Sequence, residues 1–192
     1  MQMRVASIPA GHVYVRHLAD EHDEVVRLAD PIPSGAPRGA PWWPPAMLDP
    51  EWVAEHADEF DLLHLHFGFD AVGPADLGRL VGALREHGKP FAYTVHDLRN
   101  PHHDDPGPHD AALDVLVPLA DAVITLTEGA AREIRQRWGR EAEVIPHPHV
   151  VPLELLDRPR PERDARRTRP RRGGGVAARS PAGVRRSPTG GR

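Results

Sequence analysis

Residues Pro90 to Asp97, PFAYTVHD, constrain the fold most: an apolar run long enough for one buried strand that delivers an imidazole and a carboxylate, His96 and Asp97, at its end. Two other apolar runs finish alike, FDLLHLHFG (Phe60 to Gly68) and DAVITLTEG (Asp121 to Gly129). Polar groups carried out of the C-terminal ends of strands are how an open α/β sheet makes a site, because ligands bind in the crevice beyond those ends.

Between these runs lie helical patterns. Met3 to Pro9 reads as a first strand, Glu24 to Leu28 as a second and Ala142 to Ile145 as a short sixth. His12 to Asp20 reads as a helix with Val15 and Leu18 inward. Gly11, just before it, lets the chain turn sharply. Asp49-Pro50-Glu51 is a cap, a first-turn proline and an acid at the positive end, so a helix should run from there to about Asp58. After Gly73-Pro74, Leu77, Leu80, Val81 and Leu84 form one apolar stripe, which Gly88 and Pro90 end. Pro108 opens a helix with Leu113 and Leu116 inward, ending near Ala120. Thr127 caps the last one, with Ala130, Ile134 and Trp138 on one face and Gly139 as its stop. Strands alternating with helices at this spacing predict right-handed βαβ units: an α/β, Rossmann-like parallel sheet with helices on both faces.

Asp30 to Leu48 is a Pro- and Gly-rich loop holding Trp42 and Trp43. The pair either pins the loop to the body or meets an acceptor or membrane surface.

Charge separates the chain into two parts. Met1 to Leu156 carries 12 Lys and Arg against 25 Asp and Glu; Asp157 to Arg192 carries 12 Arg against 3 acids. The expected domains are therefore residues 1–156, folded, and residues 157–192, a disordered Arg/Pro/Gly-rich tail without enough apolar surface to offset ordering entropy. Its composition reads as GC-rich DNA translated out of frame, the alternative being a basic arm for nucleic acid or anionic lipid. It lacks the interleaved aromatics of a single-strand binder, so no specific nucleic-acid partner is expected. There is no cysteine, hence no thiolate metal site. No apolar run approaches the roughly 20 residues of a spanning helix. The expectation is a cytoplasmic protein, with peripheral contact at the inner face of the membrane left open.

Thirteen histidines raise one alternative. His64 and His66 are two apart on a strand and share a face. With Asp70, His96, Asp97, His102 and His103 they could ligate a metal for a hydrolase. Against this, His64 reads equally well as a packed core histidine, and His102, His103 and His109 read as a solvated loop.

In order, VASIPAGH, FDLLHLHFGFD, KPFAYTVHDLRNPHH and LADAVITLTEGAAREIRQRWGREAEVIPHPHV resemble the N-terminal, acceptor-side half of GT-B retaining glycosyltransferases of the group-4 type. The resemblance runs from Met3 to about Val151. It implies sugar transfer from a nucleotide-sugar, without metal or other cofactor, in a cleft between two Rossmann-like domains. It places His96 at the cleft floor as the catalytic group. Gly11 and His12 would lie near the donor phosphates or the acceptor. His66, Phe67, Gly68, Asp97, Thr127, Glu128 and His147 would line the substrate. The acceptor implied is a sugar, a lipid-linked molecule or a small molecule.

The family's second domain, with glutamates spaced E-x7-E, is expected just after Val151, where the basic tail stands instead. That spacing at Glu51/Glu59, Glu133/Glu141 and Glu154/Glu162 reads as chance. The chain is thus expected to be a truncated transferase, inactive alone. Otherwise it is a non-catalytic acceptor-binding module docking on a separate donor-domain chain.

Overall fold

The computed structural model describes residues 2–18, 24–33, 42–100 and 104–148. The basic tail, the expected boundary after Leu156, and His102 and His103 lie outside them.

Six parallel strands form one sheet: β1 (Met3–Ile8), β2 (Val25–Arg27), β3 (Leu62–Leu65), β4 (Phe91–Val95), β5 (Ala122–Thr125) and β6 (Glu143–Val144), in the order β2-β1-β3-β4-β5-β6. The helices are α1 (Val13–Arg16), α2 (Pro50–His56), α3 (Pro74–Glu86), α4 (Gly107–Leu119) and α5 (Glu128–Trp138). The chain steps from β1 outward to β2, then returns across β1 to β3 and continues one way. With right-handed crossovers, α1 falls on one face and α2 to α5 on the other. The contacts of α2 with α3 and of α3 with α4 agree with that layering.

Each strand therefore has two unlike faces. Ala6, Ile8, Leu63, Leu65, Phe91, Tyr93, Val95 and Val123 point to the thick helical layer and are buried. Leu77, Leu80, Val81 and Leu84 of α3 and Leu113 and Leu116 of α4 meet them there, as their spacing predicts. The opposite face pairs Ser7 with His64 across β1 and β3 and carries Thr94 on β4, so it is inlaid with polar groups.

Several boundaries differ from those expected. α1 has four residues rather than nine, because its apolar stripe is only Tyr14 and Val15, and His17 closes it with bonds back to the Val13 and Tyr14 carbonyls. A three-residue 3-10 turn, Ala57–Glu59, follows α2. α4 begins at Gly107, one residue before the expected Pro108, and His109 in its first turn is buried rather than solvated.

The stop of α5 is as expected. Gly139 sits at φ 64° and its N–H bonds the Arg135 carbonyl at 2.9 Å. A Cβ there would meet nothing within 4 Å, so alanine costs backbone strain alone. Gly139→Ala should lower stability by about 1 kcal/mol, read as a lower urea midpoint. An unchanged midpoint would contradict the left-handed cap.

Candidate active site

Reversal of the chain's direction between β1 and β3 creates a topological switch point, and the crevice beyond the C-terminal ends of those strands is where such sheets bind ligands. The loop after β1 and the loop after β3 meet there: the His12 and Phe67 rings lie edge to face, 4.5 Å between centroids. β3 and β4, adjacent in the sheet, add His66 and His96 from their ends, 6.0 Å apart.

Tyr14 stands at the middle. Its ring is 4.4 Å from His96, 4.9 Å from His147 and 5.6 Å from His66. It is 3 % exposed, and burial raises its phenol above the usual range. Phe67 closes the other side of His96 at 5.3 Å. His66, His96 and His147 thus come together with His12 and Phe67 around one tyrosine. The sequence reading missed that tyrosine. The available signal was its place as the first Phe, Tyr or Trp after the turn that follows β1.

Burial dominates the electrostatics. It lowers His96 to about 4, helped by the charges His147 and His12 would carry. Burial likewise lowers His64 to about 4, with Arg27 and His96 adding to it. His66, 2 % exposed, is lowered further, first by burial and then by His64 and His96. These imidazoles are neutral near pH 7, each with one donor and one acceptor nitrogen. His64 uses Nε2 on Thr94 Oγ1 at 2.8 Å. Among the described residues His66 Nδ1, His96 Nε2, His109 Nδ1 and Ser7 Oγ are buried without a protein partner. Buried polar groups of this kind call for a bound water, a ligand or a catalytic role to explain them.

His66, Phe67, Gly68, Tyr93, His96 and Asp97 help line a cavity of about 60 Å³. That is room for a few waters and too little to enclose a sugar ring. Phe69, Asp70, Asn100 and His109 complete the lining, and no Lys or Arg is among the described residues that form it. His109 donates from Nε2 to the Asp97 carbonyl at 3.1 Å and ties the end of β4 to α4.

Gly68 has φ 93°, and a Cβ there would come within 2.8 Å of the Trp42 ring. Trp42 therefore packs on Gly68, with Trp43 edge-on to it at 5.7 Å. Trp42 thereby holds its own stretch of chain beside the site.

Of the remaining residues of the expected site, Gly11 adjoins His12, whereas Thr127 and Glu128 follow β5. The Ala10 and Gly11 N–H groups, which a donor phosphate could have used, both bond the carboxylate of Asp30 at 2.8 Å. Thr127 lies past the end of β5, but its Oγ1 accepts from Ala130 N as the cap of α5. Glu128 lines a different groove, with Arg132, Arg135 and Glu141. For the metal alternative, no group of three His, Cys, Asp or Glu side chains among the described residues is arranged to hold an ion. His64, the proposed first ligand, has its Nε2 engaged with Thr94.

No helix among the described residues is long and apolar enough to cross a membrane. No curated protein matches the chain. The family model described as Glycosyltransferase Family 4 matches residues 11–150, a span that opens at the turn after β1 and includes every ring of the cluster. Sheet order, a switch-point site with imidazoles at strand ends, and that match lead to one conclusion: the chain belongs to glycosyltransferase family 4.

Proposed function

We propose that the protein transfers a sugar from a nucleotide-sugar to an acceptor, with retention, and that His96 is the catalytic group. The observation that carries this is the neutral His96 imidazole at the end of β4, walled by Tyr14, Phe67 and His66. A neutral imidazole can accept from a sugar hydroxyl and share the positive charge that develops as the donor bond breaks. His66 and Asp97 then face the sugar at the mouth of the cavity. The acceptor is a sugar, a lipid-linked molecule or a small molecule.

The lining suits polyols and not diphosphates. It offers imidazoles and carboxylates, whereas a diphosphate calls for arginines, lysines or open backbone N–H groups. Asp30 already occupies the two N–H groups of the first loop. We therefore assign the nucleotide to a second unit outside the described residues, on this chain or on another.

Full-length protein, with a donor-binding unit supplied separately, should move label from one member of a nucleotide-sugar panel to an acceptor. Label appearing only as free sugar, whatever the acceptor, would overturn the reading. Transfer without the added unit would place the donor-binding unit on this chain rather than on another.

A further inference from the structure

We propose that Asp30 is a positioning residue for this site: its carboxylate clamps the loop after β1, and the clamped loop sets Tyr14 against His96 and His12 against Phe67. The proposal rests on the sugar-transfer reading only for the importance of His96.

Asp30 comes just after the edge strand β2. Its Oδ1 accepts from Ala10 N and its Oδ2 from Gly11 N, both at 2.8 Å. Two bonds to an ionised acceptor are stronger than neutral ones and fix the loop's orientation as well as its position. A Cβ on Gly11 would lie 3.3 Å from Oδ2, so the carboxylate is seated close against the turn.

Two things orient α1, the clamped loop and the burial of its two apolar side chains. His12 caps it directly, Nδ1 accepting from Tyr14 N at 3.2 Å. α1 is a single turn, too short to hold its own shape, since helix formation repays its nucleation cost only over several turns. Its direction is thus inherited from the Ala10–Gly11 turn at one end and from the burial of Tyr14 and Val15 at the other. Rotation of that turn would swing Tyr14 away from His96 and His12 away from Phe67 together. A residue beside an edge strand would in this way set the packing of an imidazole three strands across the sheet.

The test uses the full chain with ring-labelled histidine and follows individual imidazoles by NMR. The titratable groups around His96 are Tyr14, His64, His66, His12 and His147, with Asp97 on the same cavity; His64 couples to it through charge, so only a His64 shift as large as that of His96 counts as loosening. In Asp30→Ala, water reaches His96, and its titration midpoint should rise by about half a unit or more, since less desolvation favours the charged form. His64, held to Thr94 across β3 and β4, should stay in place. Tyr14→Ala should reproduce the His96 shift, and Tyr14→Phe, which keeps the ring, should not. The tyrosine pair serves as the second route if Asp30→Ala does not fold.

An unmoved His96 midpoint in Asp30→Ala, or in Tyr14→Ala, overturns the proposal. So does a His64 shift of equal size, which would mean general loosening. The readout needs no turnover, so failure of the clamp and failure of the sugar-transfer reading are separable.

Discussion

Taking the protein from pH 7 to pH 4 is expected to remove most of its folding stability. In the unfolded chain His64, His66 and His96 titrate near 6.5. In the folded protein burial holds His64 and His96 at about 4 and His66 lower still. The folded state then binds fewer protons than the unfolded one between those values. The stability of these groups is fully present above pH 6.5 and is lost as the pH falls toward 4. Each imidazole contributes roughly 1–3 kcal/mol to that loss, His96 the least because it is the least buried. Typical domains have only about 5–15 kcal/mol in total, so three such groups are decisive. Urea unfolding at pH 7, 5.5 and 4 checks this, with His66→Gln as the control that should flatten the curve. Equal midpoints at all three values would mean that the imidazoles are wetter than their packing indicates.

Replacing His96 should have the largest effect on catalysis. Positioned acid–base groups contribute about 10²–10⁴-fold, so His96→Ala should lower kcat/KM for transfer by about 100-fold or more. The fold should survive: Phe91, Tyr93 and Val95, which anchor β4, are buried under the helices on the other face. Steady-state rates with a thermal melt on the same sample separate the two effects. A fall of less than about threefold, roughly 0.6 kcal/mol, would reduce His96 to a packing residue.

Sheet and helices were legible because their periods are local. The stripe Leu77, Leu80, Val81 and Leu84 needs only its own spacing to declare a buried face, and all four are at most 1 % exposed. The ends of β3 and β4 were legible for the same reason, and with them His66 and His96. Contacts far along the chain were not. Tyr14 matters because segments 52, 82 and 133 residues further on bring imidazoles to its ring. Asp30 matters through a loop some twenty residues earlier. His109 sits in a run that reads as polar loop, and only the Phe69 ring and the Asp97 carbonyl explain its burial. The metal alternative arose from counting histidines, a property that ignores which nitrogens are already bonded.

Central to the proposed chemistry is that His66 and His96 face one sugar. The acceptor that supports transfer, titrated into ring-labelled full-length protein, should shift the imidazole signals of both saturably and together. His56, stacked on Trp52 at the far side of α2, should stay still. An acceptor that is turned over while both signals remain in place would contradict that shared site.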